Sequence, residues 1–418
     1  MSEITLDRLV YLRKAGEIKA VLPLSFEKRN DGFEFYFVED LNNKKVLSYI
    51  KFFDNGKFDY EKDLLEFKDD IYSLTPFVFN KKDCIIYVKR DEKGHENLIF
   101  SSINENGNYK NLSEVSIKKI DRLISLYDKK YFRDPLVVDY NGGFYLYVST
   151  KKAGTPIILR YFTNDFVNFK LNQRIYGRKS FGDEMRFFSL ALPMSEGYAS
   201  ASLVENGEYK PVIFKYDASR SNIELSKSDF IPVDESDDVK YFNITYRLGK
   251  YWGIAGFLVN GERHLSTIRE LTFEDDVLYQ KPLSNILSSL NKVLHTTVIL
   301  KNKLSFDVTS VTSFNGFMIP MNKAIHYNLI LKNNKNMINF MIAGVSREVE
   351  VTRNNKTVKK FTIKNTSESL NIKVFIINKI IEVYFGNGEQ VYTTYLDNNG
   401  VSTVEILSDD EVTIVSSK

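Results

Sequence analysis

The sequence has few of the residues from which disulfides, metal sites and membrane spans are built. Its single cysteine, Cys84, excludes an intramolecular disulfide and a multi-cysteine metal site, and lies in an apolar run that predicts a buried thiol. The four histidines show no paired ligand spacing. No apolar run approaches the length of a membrane span. We therefore expect no metal, no cofactor and no membrane partner.

An excess of one charge sign is also missing. The 57 basic and 54 acidic residues are spread evenly and give a formal net charge of +3. Because no basic stripe emerges, nucleic acid is not an expected partner. The N-terminal stretch MSEITLDRLVYLRKAG is broken by charges and lacks the apolar core of a signal peptide. These features predict a cytoplasmic protein.

Aromatic residues are abundant, and they recur in a repeated pattern. Phe and Tyr number 31 and 25, a composition that favours β structure. Polar turns followed by an aromatic end successive units at Phe53–Phe58, Ile103–Tyr109, Thr163–Phe169 and, more weakly, Val204–Tyr209. A spacing of roughly 40–60 residues with several short strands per unit is typical of propeller blades. A sandwich also contains many short strands, but the repetition favours a propeller.

The first strands of the units predict five blades within residues 1–282. They begin near Val21–Leu24, Ser73–Pro76, Arg133–Pro135, Asp183–Met185 and Tyr241–Asn243. Innermost strands line the central channel of a propeller, so these five starts are expected to converge on one pocket.

The sequence pattern changes after residue 282. Residues 283–292 form a candidate linker, in which Ser284–Leu290 has apolar residues at helical spacing. From residue 293 to 418, alternating strands separated by Asn- and Gly-rich turns predict a β-sandwich of two packed sheets. The predicted fold is therefore all-β, a five-bladed propeller followed by a C-terminal sandwich.

One hairpin carries the most chemistry. Tyr131–Thr150 contains two extended runs joined by an Asn-Gly turn, which predicts a β-hairpin. Arg133 and Asp134 open its first strand beside a proline. Charged groups there are costly to bury without partners, so they are candidates for lining a polar pocket, although a solvated ion pair at a strand end has the same pattern.

Four stretches resemble glycoside hydrolase family 32, the β-fructosidases such as invertase, sucrose-6-phosphate hydrolase and fructanases. Phe132–Pro135 is similar to the family's Arg-Asp-Pro motif, and Asp69–Tyr87 is similar to its second-blade stretch. Ile268–Leu271 with Leu278–Pro282 is similar to the run that enters the linker. Val374–Phe385, followed by Gly388-Glu389, resembles the sandwich signature. The resemblance implies the same propeller-and-sandwich architecture and a fructose-containing saccharide as ligand.

The resemblance also implies roles for individual residues. Asp134 matches the aspartate that holds the sugar and stabilises the transition state, with Arg133 beside it. The acid/base is matched by Glu184 in residue type or by Asp183 in spacing, although the family's neighbouring cysteine and proline are missing. Ser73 and Thr75 stand where the family has a sugar-binding Phe-Ser-Gly-Ser motif.

The nucleophile is the gap in this assignment. A retaining glycosidase needs two carboxyl groups about 5 Å apart, one of them the nucleophile. The matching position, near Leu22 in Ala20–Ser25, has no carboxylate. Glu27 and Asp31 are the nearest acidic residues, and Asp31-Gly32 is typical of a hairpin turn away from the channel.

Three hypotheses follow from this pattern. The first is a non-catalytic relative that binds a sugar or a protein. The second is an active, atypical retaining β-fructosidase that uses another carboxylate, and the third is a structural or assembly protein without a sugar ligand. Arg133 and Asp134 are expected to form the polar floor of an open pocket, with Asp183 or Glu184 opposite. Alternatively, Arg133 pairs with Asp134 or Glu184 and fills the channel.

Overall fold

A computed structural model describes most of the chain, with gaps. The described residues are 21–29, 32–41, 44–53, 58–67, 71–103, 109–115, 127–128, 130–259, 262–283, 291–292, 298–300, 303–308, 311–377, 379–397, 400–409 and 412–414. They form two compact units. One contains the described residues up to Pro232 together with Lys240–Gly256, and the other contains Val233–Val239 and the described residues from Phe257 onward.

Successive antiparallel strands build the sheets of the N-terminal part of the chain. The first sheet has β1 (Val21–Arg29), β2 (Gly32–Leu41), β3 (Lys44–Phe53) and β4 (Phe58–Phe67), and the second has β5 (Ile71–Phe79), β6 (Lys82–Arg90), β7 (Glu96–Ile103) and β8 (Tyr109–Val115). The third has β9 (Arg133–Tyr140), β10 (Gly143–Lys152), β11 (Thr155–Thr163) and β12 (Lys170–Tyr176). The fourth has β13 (Glu184–Ala191), β14 (Glu196–Glu205) and β15 (Glu208–Asp217).

Short elements complete the third and fourth sheets, and a fifth sheet follows. β16 (Asn222–Glu224) pairs in parallel with β12, and β17 (Ile231–Pro232) pairs with β15. The fifth sheet has the order β18 (Val239–Arg247), β19 (Lys250–Val259), β21 (Arg269–Glu274), β22 (Val277–Pro282), and β20 (Glu262–Leu265) pairs with β19. In the described part of the chain the only helical segments are single 3-10 turns at Lys179–Phe181 and Lys227–Asp229.

The five sheets confirm the predicted blades. Each predicted first strand lies within or at the start of β1, β5, β9, β13 or β18. β1 contacts β5, β5 contacts β9, β9 contacts β13 and β13 contacts β1, so these first strands meet around a common centre. One interpretation is wrong: Val204–Tyr209 joins the second and third strands of its sheet rather than ending the third, because Asn206-Gly207 is a hairpin turn with positive φ at both residues.

The predicted hairpin at Tyr131–Thr150 is confirmed as β9 and β10. Its two-residue turn, Asn141-Gly142, has φ of 38° and 80°, the left-handed conformation that Asn and Gly adopt at least cost. Gly143 follows the turn, and a Cβ there would lie 2.6 Å from the Phe162 ring. Cys84 is buried in the apolar cluster beside this hairpin, as predicted.

Two sheets make up most of the C-terminal part of the chain. One has the order β23 (Asn291–Lys292), β26 (Val311–Pro320), β31 (Ser369–Ile377), β32 (Ile380–Phe385), β33 (Gln390–Tyr395), and the other β25 (Lys303–Asp307), β34 (Thr403–Ser408), β27 (His326–Lys332), β28 (Met337–Ala343), β29 (Glu348–Arg353), β30 (Lys356–Thr362). β24 (Val298–Leu300) pairs with β35 (Val412–Ile414). One apolar cluster, including Phe340, Ile372, Val383 and Ile406, contains residues from both large sheets, the arrangement of a sandwich core.

The remaining predictions about this region concern the linker. Ser284–Leu290, predicted to be helical, lies outside the described residues. The boundaries at 282 and 293 stay predictions.

Candidate functional site

The first strands of the first four sheets pair irregularly with their second strands. Each ladder between a first and a second strand has a register shift, between Val21 and Ser25, Ile71 and Leu74, Tyr147 and Ser149, and Phe187 and Ser189. A bulge bends its strand and changes the direction of a side chain. Three of these irregularities lie at the starts of β1, β5 and β9, where the sequence places its candidate site, and the fourth lies in the middle of β13.

Asp134 is the buried centre of this site. Its side chain has no solvent exposure, and its φ of 55° is unusual for a residue other than glycine. Asp134 lies in the register shift between Arg133 and Leu136, directly before a proline. The Asp134 N–H donates to Ser73 Oγ at 3.2 Å, and Thr75 Oγ1 donates to the Pro135 carbonyl. Ser73 and Thr75 thus hold the Asp134-Pro135 backbone, and both are buried.

Arg186 donates hydrogen bonds to both carboxylate oxygens of Asp134. Its Nε donates to Oδ2 at 3.0 Å and its Nη2 donates to Oδ1 at 2.5 Å, a bidentate pair of the strongest kind. Nη1 donates to Tyr209 Oη at 3.3 Å. Burial alone lowers the pKa of Arg186, but the Asp134 carboxylate outweighs burial and raises it. Asp134 therefore has a counterion of its own within the protein.

Arg133 is paired with carboxylates on either side of it. Its Nε donates to Glu96 Oε2 at 2.9 Å, and its Nη1 donates to Glu184 Oε2 at 3.3 Å. Lys151 Nζ lies 4.0 Å from Glu184 Oε1 and 3.5 Å from the centre of the Tyr131 ring. Glu184, Arg133 and Lys151 keep 20%, 16% and 12% of their side-chain exposure. These three charged side chains are therefore partly exposed to solvent.

Glu96 is the buried end of this network. Its side chain is 1% exposed and also accepts from Arg90 at 3.1 Å and from the Phe132 N–H at 3.1 Å. Burial raises the pKa of Glu96, and the positive charge of Arg133 opposes that shift. Glu96 thus anchors Arg133 from the third strand of the neighbouring sheet.

The two candidates for the acid/base have different environments. Glu184 begins β13 and faces Arg133. Asp183 is exposed, and its carboxylate accepts the N–H of Asn206 at 3.2 Å, on the hairpin turn of its own sheet. Gly182 sets this geometry, since its φ is 128° and a Cβ would lie 2.5 Å from the Val204 carbonyl oxygen.

The comparisons with known proteins agree with this architecture. Residues 52–187 match the family model described as the glycosyl hydrolases family 32 N-terminal domain. The fold is similar to that of a β-fructofuranosidase of Bombyx mori, with 14% identity, a TM-score of 0.74, and coverage of 98% of this chain and 97% of that one. The chain has the fold of a family-32 glycoside hydrolase.

Two further solved structures show the same likeness. A β-fructofuranosidase of Schwanniomyces occidentalis, complexed with fructosyl-erythritol, is 15% identical with a TM-score of 0.71, covering 96% of this chain and 94% of that chain. The sucrose-6-phosphate hydrolase of Lactobacillus gasseri is 13% identical with a TM-score of 0.64, covering 93% and 90%. Among curated proteins, no sequence matches the chain. Family-32 enzymes have a propeller followed by a sandwich, which is the predicted fold class.

The position that the sequence resemblance matches to the family-32 nucleophile lies in β1. Val21–Ser25 contains no carboxylate in sequence. Glu27 lies in β1 opposite Glu34 of β2, where the ladder is regular. Asp31, the other acidic residue considered, lies outside the described residues.

Sequence reasoning missed the residues that neutralise the site. Arg186, Glu96 and Lys151 come from three different sheets. The family-32 resemblance gives none of them a role, although Arg186 lies in Gly182–Phe188, the stretch that matches the acid/base motif. Only Arg186 had a usable signal, since residues two apart on a strand share a face and Arg186 follows Glu184 by two.

A second buried charged cluster joins two of the stretches that resemble family 32. Arg269 is fully buried and donates to Gln280 Oε1 at 2.9 Å and to Thr393 Oγ1 at 2.6 Å. Its Nη2 lies 3.5 Å from both Asp234 Oδ2 and Glu382 Oε2. The cluster includes both the Arg269-Glu270-Leu271 run and Glu382 of the sandwich signature, so these motifs stabilise their own unit.

The described part of the chain contains no helix with the length and hydropathy that a membrane crossing requires. It contains no group of three His, Cys, Asp or Glu side chains arranged to hold a metal ion. Cytoplasmic localisation stays a prediction.

Proposed function

We propose that this protein binds a fructose-containing saccharide without hydrolysing it. The observation that carries the proposal is the pairing of Asp134 with Arg186. In the family, the matching aspartate holds sugar hydroxyls and stabilises the transition state. Here both of its oxygens accept from Arg186 and the side chain has no exposure, so this carboxylate is not available to a sugar.

The missing nucleophile supports the same conclusion. Among the described side chains, Glu184 is the partly exposed carboxyl group that faces Arg133, whereas retaining hydrolysis requires two carboxyl groups. Loss of a covalent catalyst costs several decades of rate, and each decade corresponds to about 1.4 kcal/mol. Positioning groups do not replace the group that forms the bond.

Binding rests on the side chains that stay partly exposed. Arg133, Glu184 and Lys151 offer charge-assisted hydrogen bonds to sugar hydroxyls, and Tyr131 lies beside them with a half-buried ring. The solved relatives include a Bombyx mori β-fructofuranosidase variant in complex with sucrose. A fructoside of this size is the ligand class to test first.

Two measurements on the purified chain test the proposal. Fructose release from sucrose, sucrose 6-phosphate and inulin is expected to stay at the protein-free background. Calorimetric titration with the same saccharides is expected to give a binding isotherm, weakened at least about tenfold by Glu184→Gln and unchanged by Asp183→Asn, since one lost charged hydrogen bond costs about 1.5–3 kcal/mol.

Each alternative has its own outcome. Fructose release that depends on Glu184 would establish an active, atypical β-fructosidase. Absence of both release and binding would favour a structural or assembly protein in which the Asp134–Arg186 pair simply fills the centre.

A further inference from the structure

The hairpin turns of four blades project from one end of their unit. The starts of β5, β9 and β13 meet through Ser73, Asp134 and Arg186, so these strands run in the same direction and end together at the other side. β18 runs with them, because the Lys240 carbonyl accepts from Ser202 Oγ near the start of β13 and the Ile244 N–H donates to Ser189 Oγ further along. The turns that follow these strands therefore lie opposite the candidate site.

Every large apolar side chain that is exposed in the described part of this unit lies at that end. Four belong to the hairpin turns or the strand residues beside them, and the fifth to the turn after β11, whose Thr163 pairs with Phe144 beside the β9–β10 turn. They are Val78, Tyr140, Val167, Met194 and Leu248, with exposures of 58%, 45%, 68%, 86% and 64%. We call these five residues the turn face. Such a concentration differs from the scattered single exposures of an ordinary surface.

The charged side chains around the turn face are mainly basic. The exposed basic residues at this end are Lys81, Lys82, Lys170, Lys215, Arg247 and Lys250. The exposed acidic ones among the described side chains are Asp139 and Glu196. Asp165 adds a further negative charge, because the Val167 and Asn168 N–H groups stabilise its ionised form, whereas Asp217 is paired with Arg220.

We propose that the turn face docks onto a membrane surface rich in anionic phospholipid. Lysine and arginine near such a surface are attracted to it, and apolar and tyrosine side chains partition into the headgroup boundary. A second copy of the chain fits less well, because it would bring one basic face against another. A protein groove also fits less well, since each tip presents a single side chain rather than a continuous apolar surface.

Docking of this kind needs no membrane span. The expectation that the chain has no membrane partner rested on the lack of a long apolar run. The turn face instead distributes its apolar side chains over separate turns that meet only in the folded unit.

Vesicle flotation with the full chain tests this proposal. Wild-type protein is expected to float with vesicles of phosphatidylcholine and phosphatidylserine in equal parts, and at least about tenfold less with phosphatidylcholine alone, as electrostatic attraction requires. The double variant Met194→Glu/Leu248→Asp is expected to lose at least about tenfold in partitioning, because both changes remove inserted apolar area and add repulsion. Aspartate suits position 248, where φ is 54°.

A matched control comes from the other unit. Val345→Glu changes a valine that is 62% exposed and is expected to float like wild type. Thermal melts of all variants establish that they fold. Lack of flotation by wild type, or equal flotation of wild type and the double variant, would overturn the proposal. So would wild-type dimerisation in sedimentation velocity that the double variant abolishes, since the turn face would then be a self-interface.

Discussion

The Asp134–Arg186 ion pair neutralises the carboxylate at the centre of the unit that contains the described residues up to Pro232. A buried arginine and a buried aspartate offset each other's desolvation only while both are present. The sequence-based expectation of an open polar floor placed Asp134 in contact with solvent, whereas the described structure gives it a protein partner. The alternative pairing, Arg133 with Glu184, is present as well. The site therefore contains two neighbouring ion pairs.

We predict that Asp134→Asn destabilises the protein by about 3–5 kcal/mol, because Arg186 then stays buried without a counterion. Asparagine is preferred to alanine for this test, since it tolerates the positive φ of this position. Urea unfolding followed by the fluorescence of Trp252 measures the change, because this single tryptophan is buried in the same unit beside Phe33.

Asp183→Asn is the control for this experiment. Because Asp183 is exposed, this substitution is expected to change the free energy of unfolding by no more than about 0.5 kcal/mol. If Asp134→Asn were equally mild, the centre would be wet enough for water to replace the carboxylate.

At the scale of an element, two adjacent glycines of the β9–β10 hairpin are needed for different reasons. We predict that Gly142→Ala destabilises the protein by about 1–2 kcal/mol, because alanine is strained at a φ of 80°. The new Cβ would meet no other atom, so backbone strain is the whole cost. Gly143→Ala is predicted to cost about 1–3 kcal/mol through overpacking against Phe162 and the Thr163 carbonyl. Urea unfolding midpoints of each variant, measured with and without the additional change Phe162→Leu, separate backbone strain from overpacking. Phe162→Leu is expected to relieve the second variant and leave the first unchanged.

The acidic segment Val233–Val239 is a second element whose charges matter. Asp234 is buried, and its carboxylate accepts the Thr393 N–H at 2.9 Å and Thr393 Oγ1 at 2.6 Å. Burial raises the pKa of Asp234 to about 6, against the opposing effect of Arg269. The folded state therefore binds more protons than the unfolded state between pH 3.8 and about 6.

We predict that deprotonation of Asp234, as the pH rises through this window, lowers the free energy of unfolding by on the order of 1–3 kcal/mol. Urea unfolding at a series of pH values is expected to show a shallower decline for Asp234→Asn. Asp237→Asn, which changes a carboxylate that is 67% exposed and paired with Lys359, should keep the wild-type slope. Identical slopes for wild type and Asp234→Asn would contradict the assigned pKa.

At the scale of the whole molecule, catalysis in this fold depends on groups from several blades at once. We predict that Leu22→Asp, which supplies a carboxylate at the position matching the family nucleophile, does not produce hydrolysis of sucrose. Arg186 still occupies Asp134, and Arg133 still pairs with Glu184. The fructose-release assay measures this, with Leu22→Asn as the uncharged control. Fructose release by Leu22→Asp alone would show that the Arg186 pair does not block the site.

The all-β architecture and the position of the candidate site could be predicted from the amino-acid sequence. Turn pairs such as Asn141-Gly142, the aromatic strands and the recurring polar endings are local signals, and local signals survive in a single sequence. They predicted the five first strands and the hairpin that carries Asp134. The absence of a carboxylate in Val21–Ser25 is likewise a fact of sequence alone.

Which charged groups meet depends on the three-dimensional fold. Glu96, Arg133, Lys151 and Glu184 are far apart in the chain and belong to three sheets, and no spacing rule relates them. Only Arg186, two residues after Glu184, has a spacing that predicts a shared face. The bulges at the strand starts, which turn side chains toward or away from the centre, depend on how neighbouring strands pair. Pairing of distant strands also brings the exposed tips of separate turns to one end. The partners of Asp134 and the composition of the turn face are therefore properties of the folded chain, because both depend on long-range contacts.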